Sequence, residues 1–314
     1  MLKLTAAVGV ASVLPGVGVL AAPPLSGAPV VVEGARQFDF VSAVNGRAYR
    51  VFIASPSQPA PPAGYPVLYV LDGNAYFSTA AATANLQSYS PGMGPLLVVG
   101  IGYPVSDRME IEKRRAFDLT PPAPKDVGAL MPGMTPADFG GLDAFLQVIE
   151  KEIKPQVAAS VPVNPANTAI FGHSFGGLAV LQILFEHPGF FRSYIAASPS
   201  IFWNGRVVLN GEAAFLRQVT EGKVAPQVLI TVGGQESAPW TKLPLGNPFT
   251  LDQINGMVRS LRMVDNAREL ANRLAAVKGA QGYKALGVVY PDDGHLSEPP
   301  AALSRAVRLV LEAP

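Results

Sequence analysis

Short, almost unbroken apolar runs recur along the chain at residues 67–71, 96–101, 168–171, 194–197, 228–232 and 286–290. Runs of this length carry apolar side chains on both alternating faces, which suits strands covered on both sides, as in a parallel sheet between helical layers. Upstream, residues 37–43 and 47–54 flank Asn45-Gly46. That pair favours the positive φ of a two-residue turn, so a β-hairpin is expected there. Helical spacing falls between the apolar runs. Residues 137–159 place Phe139, Leu142, Phe145, Val148, Ile149 and Ile153 near a 3.6-residue period, with Pro155 expected to kink or end the helix. Residues 177–186, parts of 251–277, and 301–311 read similarly. Strand and helix alternate, which predicts a three-layer α/β fold: a mostly parallel central sheet, an antiparallel N-terminal hairpin and helices on both faces. One domain is expected over residues 35–314. The irregular, Pro- and charge-rich stretch 104–136 is its candidate lid or pocket wall.

Composition narrows the partners. Charged residues make up 15% of the 314 and the net charge is +1, so no broad basic face for nucleic acid is expected. There is no cysteine, which excludes disulfides, thiolate metal sites and a cysteine nucleophile, and three histidines are too few for a His-rich metal centre. No cofactor is expected. Lys3, an apolar stretch over residues 4–20 and small residues at Val19 and Ala21 resemble a secretory signal. Residues 1–22 are therefore predicted to be a signal peptide and 23–34 a flexible leader. The mature protein is expected in the periplasm or secreted, without stable membrane association. An uncleaved anchor is the alternative, against which Pro15 and the clustered glycines interrupt the run.

Gly172-His173-Ser174-Phe175-Gly176 matches G-x-S-x-G and sits between a predicted strand and a predicted helix. That context turns a common pattern into a nucleophile elbow with Ser174 as the attacking group. The base is constrained by the count of histidines. His173 precedes the serine, where its side chain is expected to point away as a packing or hydrogen-bonding group. His187 ends the following helix, more than a helix length away. His295 remains, in the loop after the last apolar run, where chain order Ser, acid, His places a hydrolase base. Glu236, following the strand at 228–232 through Gly233-Gly234-Gln235, is the favoured acid. Asp292, Asp293 or a Ser-His dyad stay open. For the oxyanion, the backbone N–H of Phe175 and that of Asn74, in the loop Asp72-Gly73-Asn74, are the candidate donors. A plain β-turn at Asn74 is the alternative.

With these residues in hand the chain resembles the esterase D-like branch of the α/β hydrolases, which includes the enterobactin and salmochelin (siderophore) esterases. The resemblance rests on residues 69–74, Asp118-Leu119-Thr120-Pro121, the elbow, Ala197-Ser198-Pro199-Ser200 with Trp203 nearby, and Gly294-His295-Leu296-Ser297. It implies a cofactor-free serine ester hydrolase working through an acyl-enzyme, with a siderophore trilactone among the expected substrates. Phe202-Trp203 stands where related chains often carry two tryptophans, which leaves the substrate open.

Arg114 and Arg115 are candidate substrate contacts, because paired guanidinium groups at a pocket mouth would attract an anionic ferric siderophore. A local ion pair with Asp118 or Glu112 is the competing expectation. Trp203 is either a flat surface for an aromatic acyl group or ordinary core. Two other functions use the same residues: an acyltransferase, and a binding protein that captures a siderophore uncleaved.

Overall fold

The computed structural model describes residues 30–243, 246–247 and 249–312. The expected signal peptide and most of the leader lie outside the described residues. From Val32 onward the chain forms one unit. Among the described residues, eight strands make a single sheet: β1 (Ala35–Val41), β2 (Ala48–Ala54), β3 (Tyr65–Val70), β4 (Leu97–Gly102), β5 (Val163–His173), β6 (Ser193–Ala197), β7 (Gln227–Gly233) and β8 (Lys284–Tyr290). Their spatial order is β1-β2-β4-β3-β5-β6-β7-β8. β1 pairs antiparallel with β2 and β2 with β4, and every later pairing is parallel. This is the mostly parallel α/β-hydrolase arrangement that the run-and-helix pattern predicts.

Among the described residues the α-helices are, in chain order, α1 (Gly73–Gln87), α2 (Arg108–Asp118), α3 (Leu142–Val148), α4 (Lys154–Ser160), α5 (Phe175–Glu186), the short turn α6 (Trp203–Arg206), α7 (Glu212–Thr220), α8 (Leu251–Leu261), α9 (Met263–Ala275) and α10 (Pro299–Leu311). The two-residue period of each strand sorts its side chains between two layers. On β3, Leu68 and Val70 join Phe77, Ala80, Ala84, Leu303 and Val307 of α1 and α10. Its Val67 and Tyr69, with Leu71 beyond, instead face Phe145, Leu178 and Phe185 of α3 and α5. Each fully buried Leu or Val contributes roughly 1.5–3 kcal/mol by leaving water, so a one-residue slip of β3 would forfeit several such terms. β8 departs from the both-faces-buried expectation. It is the sheet edge, and Lys284, Gly287 and Val289 are exposed along it.

Three local expectations change. The hairpin turn spans four residues, 43–46: Ser42 N–H donates to the Arg47 carbonyl and Gly46 N–H to the Ser42 carbonyl, both at 2.9 Å. Gly46 takes the positive φ of 71°, while Asn45 uses its side-chain oxygen to accept from Arg47 N–H at 3.1 Å. The 137–159 helix is broken into α3, a π-helical turn at Ile149–Ile153 and α4, and Pro155 sits in the first turn of α4. Helical backbone continues through the proline, and the π-helical turn directly before it shifts the hydrogen-bond register where Pro155 supplies no N–H. Finally, the stretch 104–136 contains α2. Asp107 caps it by accepting from Glu110 N–H at 2.8 Å, and Glu110 pairs with Arg114 one turn on. Among the described residues no helix is long and apolar enough to cross a membrane.

Candidate active site

β5 ends and α5 begins within two residues, and Ser174 carries the turn between them at φ 59°, ψ −116°. A non-glycine residue holds such a backbone only when its surroundings over-determine it. Here the Ser174 N–H donates to the Ala197 carbonyl at 3.0 Å, and its carbonyl accepts from Ser200 N–H and Leu178 N–H. The glycines on either side differ in need. A Cβ on Gly172 would stand 2.2 Å from the Gly176 carbonyl oxygen, so only glycine fits. A Cβ on Gly176 would come no closer than 3.3 Å to any neighbour, the nearest being the Asp72 carboxylate, with Leu71 and Leu119 at ordinary contact distance. The steric demand for glycine in this turn therefore falls on Gly172.

The strained turn lifts the Ser174 hydroxyl to 3.1 Å from Nε2 of His295, and Nδ1 of the same ring lies 2.7 Å from Oε2 of Glu236. Glu236 follows β7 directly, and its side chain is 2% exposed. Its other oxygen accepts from Gly233 N–H at 2.8 Å and from the Ser198 hydroxyl. A carboxylate held at both oxygens can orient the imidazole through Nδ1–H and leave Nε2 free to take the serine proton. The chain thus has a hydrogen-bonded Ser-His-Glu series, and Asp292 and Asp293 are not part of it. The second serine of the Ser-Pro-Ser segment adds a neighbour that sequence reasoning did not assign. Ser200, 2% exposed, places its hydroxyl 3.4 Å from that of Ser174.

Asn74 and Ser174 line one cavity of about 390 Å³. The Asn74 side chain clips both backbone groups of Tyr103, donating to its carbonyl at 3.0 Å and accepting from its N–H at 2.7 Å. That clip fixes the first turn of α1 against the end of β4. The Asn74 and Phe175 amides each sit in the first turn of a helix and have no acceptor among the described residues. Two unoccupied N–H groups at helix starts suit a developing oxyanion.

His173 does not turn away from the site. Its ring centroid lies 4.4 Å from that of His295, and its Nδ1 is 2.9 Å from the Tyr76 hydroxyl. Burial, reinforced by the nearby His295 and Arg115, pushes it well below the ordinary histidine range, so it is neutral packing beneath the base.

Three expected substrate contacts are placed differently. Arg114 lies outside both cavities at Ser174, its guanidinium held by Glu110 at 2.6 Å and the Ala48 carbonyl at 3.4 Å. Arg115 does line both cavities, yet it is committed to Asp72 through bonds of 2.8 and 2.9 Å, with Glu112 at 3.4 Å. Burial opposes the Arg115 charge, and the Asp72 carboxylate outweighs it, so its pKa is raised. Asp118 pairs with neither; its neighbour is Arg47 at 3.5 Å. Trp203 is 0% exposed, packs on Phe139 and Phe175 and donates to the Pro121 carbonyl at 3.3 Å, so it is core. The aromatic groups that do line the second cavity, of about 580 Å³, are Phe175, Phe202 and Trp240. No group of residues with metal-ligand spacing occurs among the described residues.

Comparison with known proteins gives a consistent picture. The family model described as "Putative esterase" matches residues 42–285. The ferri-bacillibactin esterase BesA of Bacillus subtilis is 35% identical over 268 residues, covering 84% of this chain and 85% of that protein. A siderophore triacetylfusarinine C esterase of Aspergillus fumigatus is 35% identical over 255 residues, 79% of this chain and 82% of its own. Among solved structures, the BES protein of Bacillus cereus superposes with a TM-score of 0.76 at 30% identity, covering 91% of this chain and 99% of that one.

Proposed function

The chain belongs to that esterase family, and from this premise we propose that it hydrolyses the ester bonds of a siderophore, with Ser174 as nucleophile, His295 as base and Glu236 as orienting acid. One observation carries the reading: an unbroken hydrogen-bonded series from the Ser174 hydroxyl through His295 to a buried carboxylate, opening on two cavities. Relatives named as siderophore esterases support the substrate class.

In the reaction, Nε2 of His295 takes the Ser174 proton as the oxygen attacks the ester carbonyl. The Asn74 and Phe175 amides receive the negative oxygen, held there without reorganisation by the two helix starts. The imidazolium, stabilised by Glu236, then protonates the departing alcohol. Water enters along the same path, gives its proton to His295 and releases the acid. Replacing Ser174 by Ala should lower kcat on a ferric siderophore ester by at least about a thousandfold and abolish labelling by a fluorophosphonate. Activity surviving that change nearly intact would overturn the assignment. Export to the periplasm or the medium is part of the proposal, supported by Lys3 and the apolar stretch that follows it. A mature chain beginning near Ala22 would agree with export, and one retaining Met1 would count against it.

A further inference from the structure

The two cavities meet at Ser174 and His295, and together they form a wall with an unusual electrical balance. Its charged side chains are Arg108 and Arg115 against Asp72, Glu112 and Glu236. Three carboxylates face two guanidinium groups, an excess of one negative charge among these side chains. Neither arginine is a strong anion receptor. Arg115 is bonded by two nitrogens to Asp72. Arg108 is exposed at the outer start of α2, where water screens it. Arg114, the third candidate, lies outside the wall on Glu110.

The larger cavity is lined largely by apolar side chains. Four of the chain's seven methionines, Met131, Met134, Met257 and Met263, line it beside Leu130 and Trp240. Thioether side chains are flexible and polarisable, so they fit bulky apolar surfaces of varied shape, and they offer little to a charge leaving water.

We infer that this site selects electrically neutral esters, and that among siderophores it takes the ferric tris-hydroxamate kind in preference to the ferric tris-catecholate kind. The inference rests on the siderophore reading above for its substrate class. Three hydroxamate anions balance one ferric ion, giving a neutral complex. Three catecholate dianions leave a charge of 3−. The trianion approaches a site of its own sign and finds no uncommitted buried cation among the described residues lining it, while the neutral complex loses nothing electrically and gains the methionine wall. At about 10 Å the repulsion alone corresponds to a roughly eightfold disadvantage at low salt, shrinking as ions screen it.

The test compares kcat/KM of the full-length protein on two pairs of esters. The first pair is p-nitrophenyl hexanoate and mono-p-nitrophenyl adipate, alike in reach and different in terminal charge. The second is a ferric tris-hydroxamate triester and a ferric tris-catecholate trilactone, each at low and high salt. The neutral member should be favoured by about tenfold or more in both pairs, with the ferric gap narrowing as salt is added. Glu112→Gln should improve the anionic member of each pair, narrowing the p-nitrophenyl gap about twofold and the ferric gap by up to about eightfold at low salt. Equal or better turnover of the anionic members, or gaps indifferent to both salt and Glu112→Gln, would overturn the inference. Preference for the neutral p-nitrophenyl ester with neither ferric complex cleaved would uphold the charge selection and overturn the siderophore reading instead.

Discussion

The Asp72 carboxylate grips the Arg115 guanidinium side-on, accepting from Nε at 2.8 Å and from Nη2 at 2.9 Å, with side chains only 6% and 14% exposed. This pair ties α2 to the turn between β3 and α1, two residues before the Asn74 amide. It therefore spans from a wall of the cavity to a candidate oxyanion donor. Removing one partner leaves the other charged and buried, so Arg115→Met should lower stability by about 3–5 kcal/mol in urea unfolding. The double replacement Asp72→Asn with Arg115→Met should recover much of that loss. A single replacement as stable as the parent would show that the pair is not holding the turn.

The elbow glycines should separate sharply. Gly172→Ala places a methyl group 2.2 Å from the Gly176 carbonyl oxygen, a contact no small shift relieves. Gly176→Ala brings its methyl group only to 3.3 Å from the Asp72 carboxylate. Gly172→Ala should abolish soluble expression or esterase activity. Gly176→Ala should fold and keep activity within about tenfold, since overpacking of that size typically costs about 1–3 kcal/mol. Equal damage from both would mean that the strain at Ser174 is set elsewhere.

Glu236 holds the imidazole while being held itself by Gly233 N–H and the Ser198 hydroxyl. Glu236→Gln substitutes an amide for the carboxylate and removes the charge that stabilises the imidazolium. It should lower kcat by about 10²–10⁴, by analogy with acid-to-amide changes in other triads. Ser198→Ala removes one of two supports and should lower kcat by roughly threefold to tenfold, with KM little changed. An effect under about tenfold in Glu236→Gln would point to a Ser-His dyad.

The parts legible in the sequence are those governed by local chemistry. The apolar runs at 67–71 and 228–232 mark strands because β3 and β7 are covered on both sides, and the elbow is readable because its turn demands Gly172. His295 and Glu236 follow from chain order and from a short supply of histidines. The illegible parts depend on which distant segments meet. α2 buries only Ala116 and Asp118, so it shows almost no apolar stripe to read. Trp203 and Trp240 are indistinguishable as residue types, and only the packing of Phe139 and Phe175 makes the first one core. Arg115 draws a partner 43 positions away, a pairing that no spacing rule anticipates.

A carboxyl group beneath the His295 loop gives the fold a pH dependence of its own. Glu298 is 0% exposed, its backbone N–H donates to the Gly294 carbonyl at 3.1 Å, and its side chain accepts from the Thr231 hydroxyl. Its second carboxyl oxygen has no partner among the described residues. Burial, with the nearby Glu236 and Asp293 adding to it against the Thr231 bond, pushes its pKa from the usual 4.5 to about 7. Below 4.5 both the folded and the unfolded chain hold this proton, and the site is neutral. Between 4.5 and about 7 the unfolded chain releases it and the folded chain does not, so stability falls with rising pH over that window. The loss is about 3 kcal/mol once the folded group has also ionised. Glu298→Gln keeps the shape and removes the titration. Its stability relative to the parent, measured by urea midpoints at pH 4.5 and pH 8, should therefore rise by about 2–3 kcal/mol between the two. Asp118, also raised by burial, to about 6, titrates in both proteins and cancels in the difference. A difference independent of pH would mean that Glu298 ionises in the folded state as freely as in the unfolded one.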